Sequence, residues 1–152
     1  LTETPSCSDY FTFFNEVGII DQIGRAFLEA RLPEGLIAPH FAVVNHLIRV
    51  SDGQTPLVLA RAFQVPKTTM THTLAGLERH GLVEMRPNPD DGRSKRIWLT
   101  VAGRRFHDAA IADMGPLFAE LAQEVPPEAI ATALPVLSQV RRVIDRMRDR
   151  HD

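Results

Sequence analysis

The sequence predicts a mainly α-helical fold interrupted by one short β-hairpin, and three observations carry that reading. Apolar residues recur at helical spacing through most of the chain. Start and stop signals for helices fall between those runs: Thr55-Pro56, His80-Gly81, Thr100 and Pro126-Pro127. The short apolar alternation Arg96–Leu99 follows directly on a mixed-charge loop rich in Pro, Asp and Gly. With 152 residues, 44% of them hydrophobic, the chain is long enough to close one domain around a substantial core.

The elements follow in order. Phe13, Val17, Ile20, Gly24, Phe27 and Leu28 set a first helix over Ser8 to Leu32, ended by Pro33 and Gly35. A second helix spans Ala38 to Val50 on the stripe Phe41, Val44, Leu47 and Ile48. Thr55 can accept free amide hydrogens as N-cap and Pro56 suits the first helical position, so a short third helix runs to about Phe63. After the break Gln64-Val65-Pro66, Met70, Leu74 and Leu77 share one face of a fourth helix, stopped by His80-Gly81. Strands over Leu82 to Arg86 and Arg96 to Leu99 flank the loop, with Leu82, Ile97 and Leu99 facing the core and Trp98 the other side. Thr100 caps a long fifth helix, bent at Gly115-Pro116. A last helix runs from Pro126-Pro127 to about Arg148, with Pro135 near its start or kinking it. Both end segments are long and amphipathic, which fits packing against a second copy in a symmetric dimer; a self-contained monomer is the alternative.

Charge and cysteine content narrow the function. The net charge is −2, but residues 51–100 carry seven basic against five acidic groups, the only net-basic third. No membrane-length apolar run occurs, and no basic region followed by an apolar core opens the chain, so neither membrane association nor a signal peptide is expected. The single cysteine, Cys7, excludes an internal disulfide and suits a cytoplasmic location. The histidines at 40, 46, 72, 80 and 107 are dispersed, and no HExxH, CxxC or Gly-rich phosphate loop is present. No catalytic residue, metal site or cofactor is therefore expected.

Residues 55–80 have the pattern of a helix-turn-helix: a short capped helix, a tight turn and a second helix with one apolar face. Opposite Met70 on that second helix lie Thr68, His72, Ala75 and Arg79, with Thr71 on the flank. The face has no carboxylate to repel phosphate, its polar groups can meet base edges, and Ala75 with Gly76 permits close backbone approach to DNA. Lys67, at the helix start, joins this set. In the hairpin, Arg86, Arg93, Lys95 and Arg96 put positive charge on the loop and its shoulders. A projecting loop of this kind reaches phosphates beside a recognition helix and can place an Arg in the minor groove. Asp91 can hold the turn and so fix where Arg93 points, and Gly92 supplies a permissive backbone dihedral.

The stretch "GLVEMRPNPDDGRSKRIWLTVAGRRF", residues 81–106, resembles the wing signature of the MarR family of bacterial transcriptional regulators. Gly81-Leu82, Arg86, Asp91-Gly92-Arg93, Ile97 to Leu99, and Leu99-Thr100 with Gly103 carry the likeness. Upstream, "LARAFQVPKTTMTHTLAGLERHGLV" is similar to the family's helix-turn-helix, through Leu59-Ala60, Val65, Thr71 and Leu77-Glu78. The resemblance is sharp over residues 55–106 and architectural elsewhere. It implies a single chain over 1–152, mainly α, with a winged helix-turn-helix lobe at 38–104 and dimerisation helices at 8–35 and 105–150. It further implies a homodimer on double-stranded DNA at a pseudo-palindromic operator, repression as the usual outcome, and release by a small aromatic or lipophilic effector. Arg93 would be the minor-groove residue of the wing tip and Asp91 its orienting partner. Three departures stand out: Pro66 replaces a common capping Ser or Asp, Ala75 is shorter than usual on the binding face, and Cys7 matches no pattern of the peroxide-sensing members. The alternative function is a winged-helix protein-association module without DNA binding.

Overall fold

The computed structural model describes residues 5–150, which form seven α-helices and one two-stranded antiparallel sheet. They fall into two compact units that divide between Met114 and Gly115.

The first unit opens with α1, Cys7–Glu29, capped by Ser6, whose hydroxyl accepts the Asp9 N–H. The helix stops short of the expected Leu32. Past its end, the Arg31 guanidinium donates back to the Phe27 carbonyl at 2.7 Å and lies over the Phe27 ring. Helix α2, Ala38–Arg49, is tied to α1 because Glu29 Oε1 accepts the Ala38 N–H at 2.8 Å. His40 completes the cap, its Nδ1 accepting the Ile37 N–H at 3.0 Å. Helices α3 (Pro56–Ala62) and α4 (Lys67–Arg79) flank a tight turn in which Gln64 adopts φ +53°. As expected, Thr55 caps α3 through its hydroxyl, and Gly81 leaves α4 at φ +69°, where a side chain would be strained.

Strands β1 (Val83–Pro87) and β2 (Lys95–Leu99) pair with Met85 opposite Ile97 and Arg86 opposite Arg96. Gln54 extends the sheet by one antiparallel bridge to Ile97, and Gly53 donates to the Ile97 carbonyl. Helix α5, Val101–Asp113, starts under the Thr100 cap; the same hydroxyl donates to the Gly81 carbonyl at 2.6 Å. Gly103 sits so close to β1 that a Cβ there would collide with the Leu82 carbonyl oxygen. The core is Val43, Val44, Leu47, Leu59, Leu74, Leu77 and Ile97, all essentially without solvent exposure, with Phe106 of α5 packed on it. Burying side chains of this size is worth about 1.5–3 kcal/mol each, which stabilises a lobe with so short a sheet.

The second unit holds α6 (Gly115–Glu124) and α7 (Pro127–Asp149). The fifth helix expected to bend at Gly115-Pro116 is thus two helices, because Met114 ends α5. Helix α7 runs unbroken through Pro135, whose ring removes one backbone donor from its interior. Within the described residues no side chain of α1, α6 or α7 is buried. No helix among the described residues is long and apolar enough to cross a membrane.

Candidate nucleic-acid interface

Helix α4 turns Met70, Leu74 and Leu77 into the core and leaves Lys67, Thr68, Thr71, His72 and Arg79 exposed. Its start has no side-chain cap, because Pro66 provides none, so the first N–H groups point outward unpaired by a side chain. Such a helix end favours an anion. The Thr71 hydroxyl donates to the Lys67 carbonyl at 2.9 Å, which leaves its lone pairs free to accept. One expectation fails here. Gly76 does not lie on the outer face but is buried against α2, where an added Cβ would come within 2.6 Å of His40 Nε2. Its smallness lets α2 and α4 close on each other. Ala75 is half-buried.

His40 sits in that seam, and its pKa is lowered, first by burial and then by the neighbouring His80, His72 and Arg79. The neutral ring suits the cap it makes, since Nδ1 must be unprotonated to accept.

The wing loop, residues 88–94 between the strands, is organised by its own side chains. Asp91 Oδ1 accepts the Arg93 N–H at 2.9 Å, and the Asp91 carbonyl accepts the Ser94 N–H at 3.2 Å. Asp91 therefore shapes the backbone that carries Arg93. Gly92 does not behave as expected: its φ is not positive, and a Cβ there would meet open space, so nothing in the turn demands glycine. The four wing cations divide into pairs. Arg86 pairs with Glu84 and lies over the Trp98 ring at 5.1 Å, and Arg96 pairs with Asp90. Arg93 and Lys95 are exposed and make no side-chain bond among the described residues.

Between α4 and the wing runs an open groove of about 460 Å³, lined among others by Thr55, Lys67, Thr71, Arg93 and Lys95. Three cations (Lys67, Arg93, Lys95), three hydroxyl residues (Thr55, Thr71, Ser94) and one carboxylate, Asp91, thus line one channel, with the uncapped end of α4 beside it. Thr68 and His72 stand on the exposed face of α4, and Arg79 is at its far end. The hairpin is held from below: Asp52 Oδ1 accepts the Gly53 and Leu99 N–H groups at 3.0 Å, and Arg104 reaches its other oxygen. Gly53, at φ +72°, lets the chain press on Trp98, where a Cβ would approach to 2.5 Å. Sequence reasoning did not single out Asp52 or Asn88, a buried residue in the wing. A second hollow of about 430 Å³ lies between the segment after α1, the α4–β1 turn and α5; Leu36, Leu82, Phe106 and Ala110 are among its apolar lining, and Arg31, His80, Arg105 and Asp113 are its polar lining.

A helix-turn-helix whose second helix borders a charged, braced hairpin defines a winged helix-turn-helix protein. The model of the MarR family matches residues 34–94, from just before α2 through the wing. Transcriptional regulator HosA of Escherichia coli O111:H- is 32% identical over 98 residues, which cover 64% of this chain and 71% of that protein. The chain therefore belongs to the MarR family. Among solved structures, a crystal structure of MarR superposes with a TM-score of 0.80 at 20% identity, covering 99% of this chain and 97% of the other. A mutant MarR from Escherichia coli, crystallised in complex with operator DNA, gives a TM-score of 0.67 at 25% identity over 90% of this chain and 99% of its own.

Proposed function

We propose that this chain is a sequence-specific, double-stranded DNA-binding repressor. It acts as a homodimer on a pseudo-palindromic operator and releases it when a small aromatic or lipophilic molecule binds. The observation that carries the DNA reading is the groove between α4 and the wing, where Lys67, Thr71, Arg93 and Lys95 converge on a space open to a phosphate backbone. Thr68 and His72 are then the base-reading side chains, and Arg93 enters the minor groove. Family membership supports the same reading, and a related MarR has been crystallised with operator DNA.

The dimer is supported by the exposed apolar side chains of both units, among them Phe11 and Ile20 on α1 and Leu134 on α7. Two recognition helices related by a two-fold axis read half-sites about 34–36 Å apart, one turn of DNA. The effector reading rests on the hollow beside α5, whose apolar lining and mixed polar groups, Arg31, His80, Arg105 and Asp113, fit an amphipathic ligand.

Selection of bound sequences from a random duplex pool tests the function most directly. A recovered motif with two-fold symmetry supports the reading, and an unenriched pool sinks it. Affinity for the selected duplex falls with added salt if phosphates dominate the contact. A complex insensitive to salt favours instead a protein-association module.

A further inference from the structure

We propose that Asn88 is a positioning residue of the wing and that Arg96 is its brace, so that only Arg93 and Lys95 of the wing's cations are committed to DNA. The proposal rests on the DNA-binding reading above and goes beyond it by dividing residues that look equivalent in sequence.

Asn88 is only 9% exposed although it lies in a projecting loop. Every polar group it has is used. Its N–H donates to the Ser94 carbonyl and its own carbonyl accepts the Asp91 N–H, both at 3.3 Å. Its Nδ2 donates to Ser94 Oγ at 2.9 Å, and its Oδ1 accepts both the Asp90 N–H and the Arg96 Nε–H at 3.1 Å. The amide orientation is dictated by these neighbours, because a flipped NH2 would face two N–H donors. Arg96 in turn donates through Nη2 to Asp90.

The result is a knot that ties both shoulders of the wing together. Residues 90 to 93 hang from it, and Asp91 passes the constraint on to the Arg93 backbone. The Arg96–Asp90 ion pair cannot explain the order alone, because Asp90 is largely exposed and such pairs contribute little. The half-buried bond from Arg96 to Asn88 is the part that fixes the guanidinium; with the bond to Asp90 it commits two of the five N–H donors, holds the plane in place and sets a carboxylate beside its charge. A wing ordered before binding spares the complex the entropy of ordering it.

Four variants test this against a synthetic duplex carrying the sequence selected from the random pool. Asn88→Ala weakens binding about tenfold through lost pre-organisation. Asn88→Asp recovers most of that loss, since a carboxylate keeps both acceptor roles of Oδ1. Arg96→Lys keeps the charge but loses the planar fork. It therefore binds as weakly as Asn88→Ala if Arg96 is a brace, and nearly as well as wild type if Arg96 is a phosphate contact. In an Arg93→Ala background the Asn88→Ala effect shrinks to under about threefold, because the residue being positioned is gone. Amide exchange in the free protein adds a readout without DNA: Asn88→Ala speeds exchange at Asp90, Asp91 and Ser94 and leaves the melting temperature within a few degrees. Wild-type affinity in Asn88→Ala or Arg96→Lys, or a loss undiminished without Arg93, overturns the proposal. Failure of the wild type to bind the selected duplex instead overturns the DNA reading itself, and this inference with it.

Discussion

The lobe from Leu36 to Met114 and the end helices α1, α6 and α7 are built from similar amino acids but to opposite effect. The lobe holds every buried hydrophobic side chain among the described residues. The end helices carry Phe, Ile, Leu and Val just as freely, yet Phe11 is 72% and Ile20 is 67% exposed. Helical periodicity alone does not distinguish the two, since an apolar stripe marks a face that needs covering and not what covers it. The lobe covers its own faces by folding α4, α5 and the hairpin onto α2, and α3 onto α4 and the hairpin. The end helices have a core only if another surface supplies the other half, which is the physical argument for a second copy of the chain.

The sharpest way to test that contrast is to cut into each region in turn. Leu74→Ala removes a fully buried side chain from α4 and should destabilise the lobe by about 2–5 kcal/mol. Thermal or urea unfolding checks this, and the loss should not depend on protein concentration. Ile20→Asp should instead leave the lobe's helicity intact and shift sedimentation from dimer to monomer. A monomeric wild type, or a dimer indifferent to this change, would break the comparison. His72→Ala touches neither core and should cost roughly 1–3 kcal/mol of discrimination at one or two operator positions, read by competition binding with single-base variants.

The smallest effect concerns His40, the titratable group in the α2–α4 seam. Its folded pKa is below the ordinary 6.5 of the unfolded chain, so the unfolded state takes up the proton first. The stability it contributes is complete above the unfolded value and is lost as pH falls through the folded one. Melting temperatures measured from about pH 8 down to about pH 5 should therefore decline, and His40→Gln should flatten part of that decline. His80, His72 and Arg79 surround the ring and favour its neutral form, so the variant must be compared with wild type at each pH.

How legible the molecule is in its sequence depends on how local each cause is. Thr55, Pro56, Gly81 and Thr100 act within a few residues of themselves, and the elements they start or stop fall where they predict. The wing was legible for the same reason, being a short run between two strands. Gly76 was not: a helical wheel centred on Met70 finds one inward face, whereas α4 also meets α2, and only the fold shows His40 lying against that glycine. Asn88 escaped notice because its partners lie at positions 90, 94 and 96 and converge only once the turn is closed. Gly92 was over-read, since a glycine in a turn is evidence for a positive φ only where the turn type requires one.

Trp98 has a consequence of another kind. It is the chain's one tryptophan, pressed against Gly53 on the lobe and covered by the Arg86 guanidinium of the wing. An indole so placed is an intrinsic optical gauge of the wing's seating. Trp98 is half-buried, and a change in its packing on Gly53 alters its exposure to water, to which indole emission is expected to respond. Titrating the unlabelled protein with DNA or with a candidate effector while watching that one fluorophore reports whether the hairpin lifts, settles or stays in place.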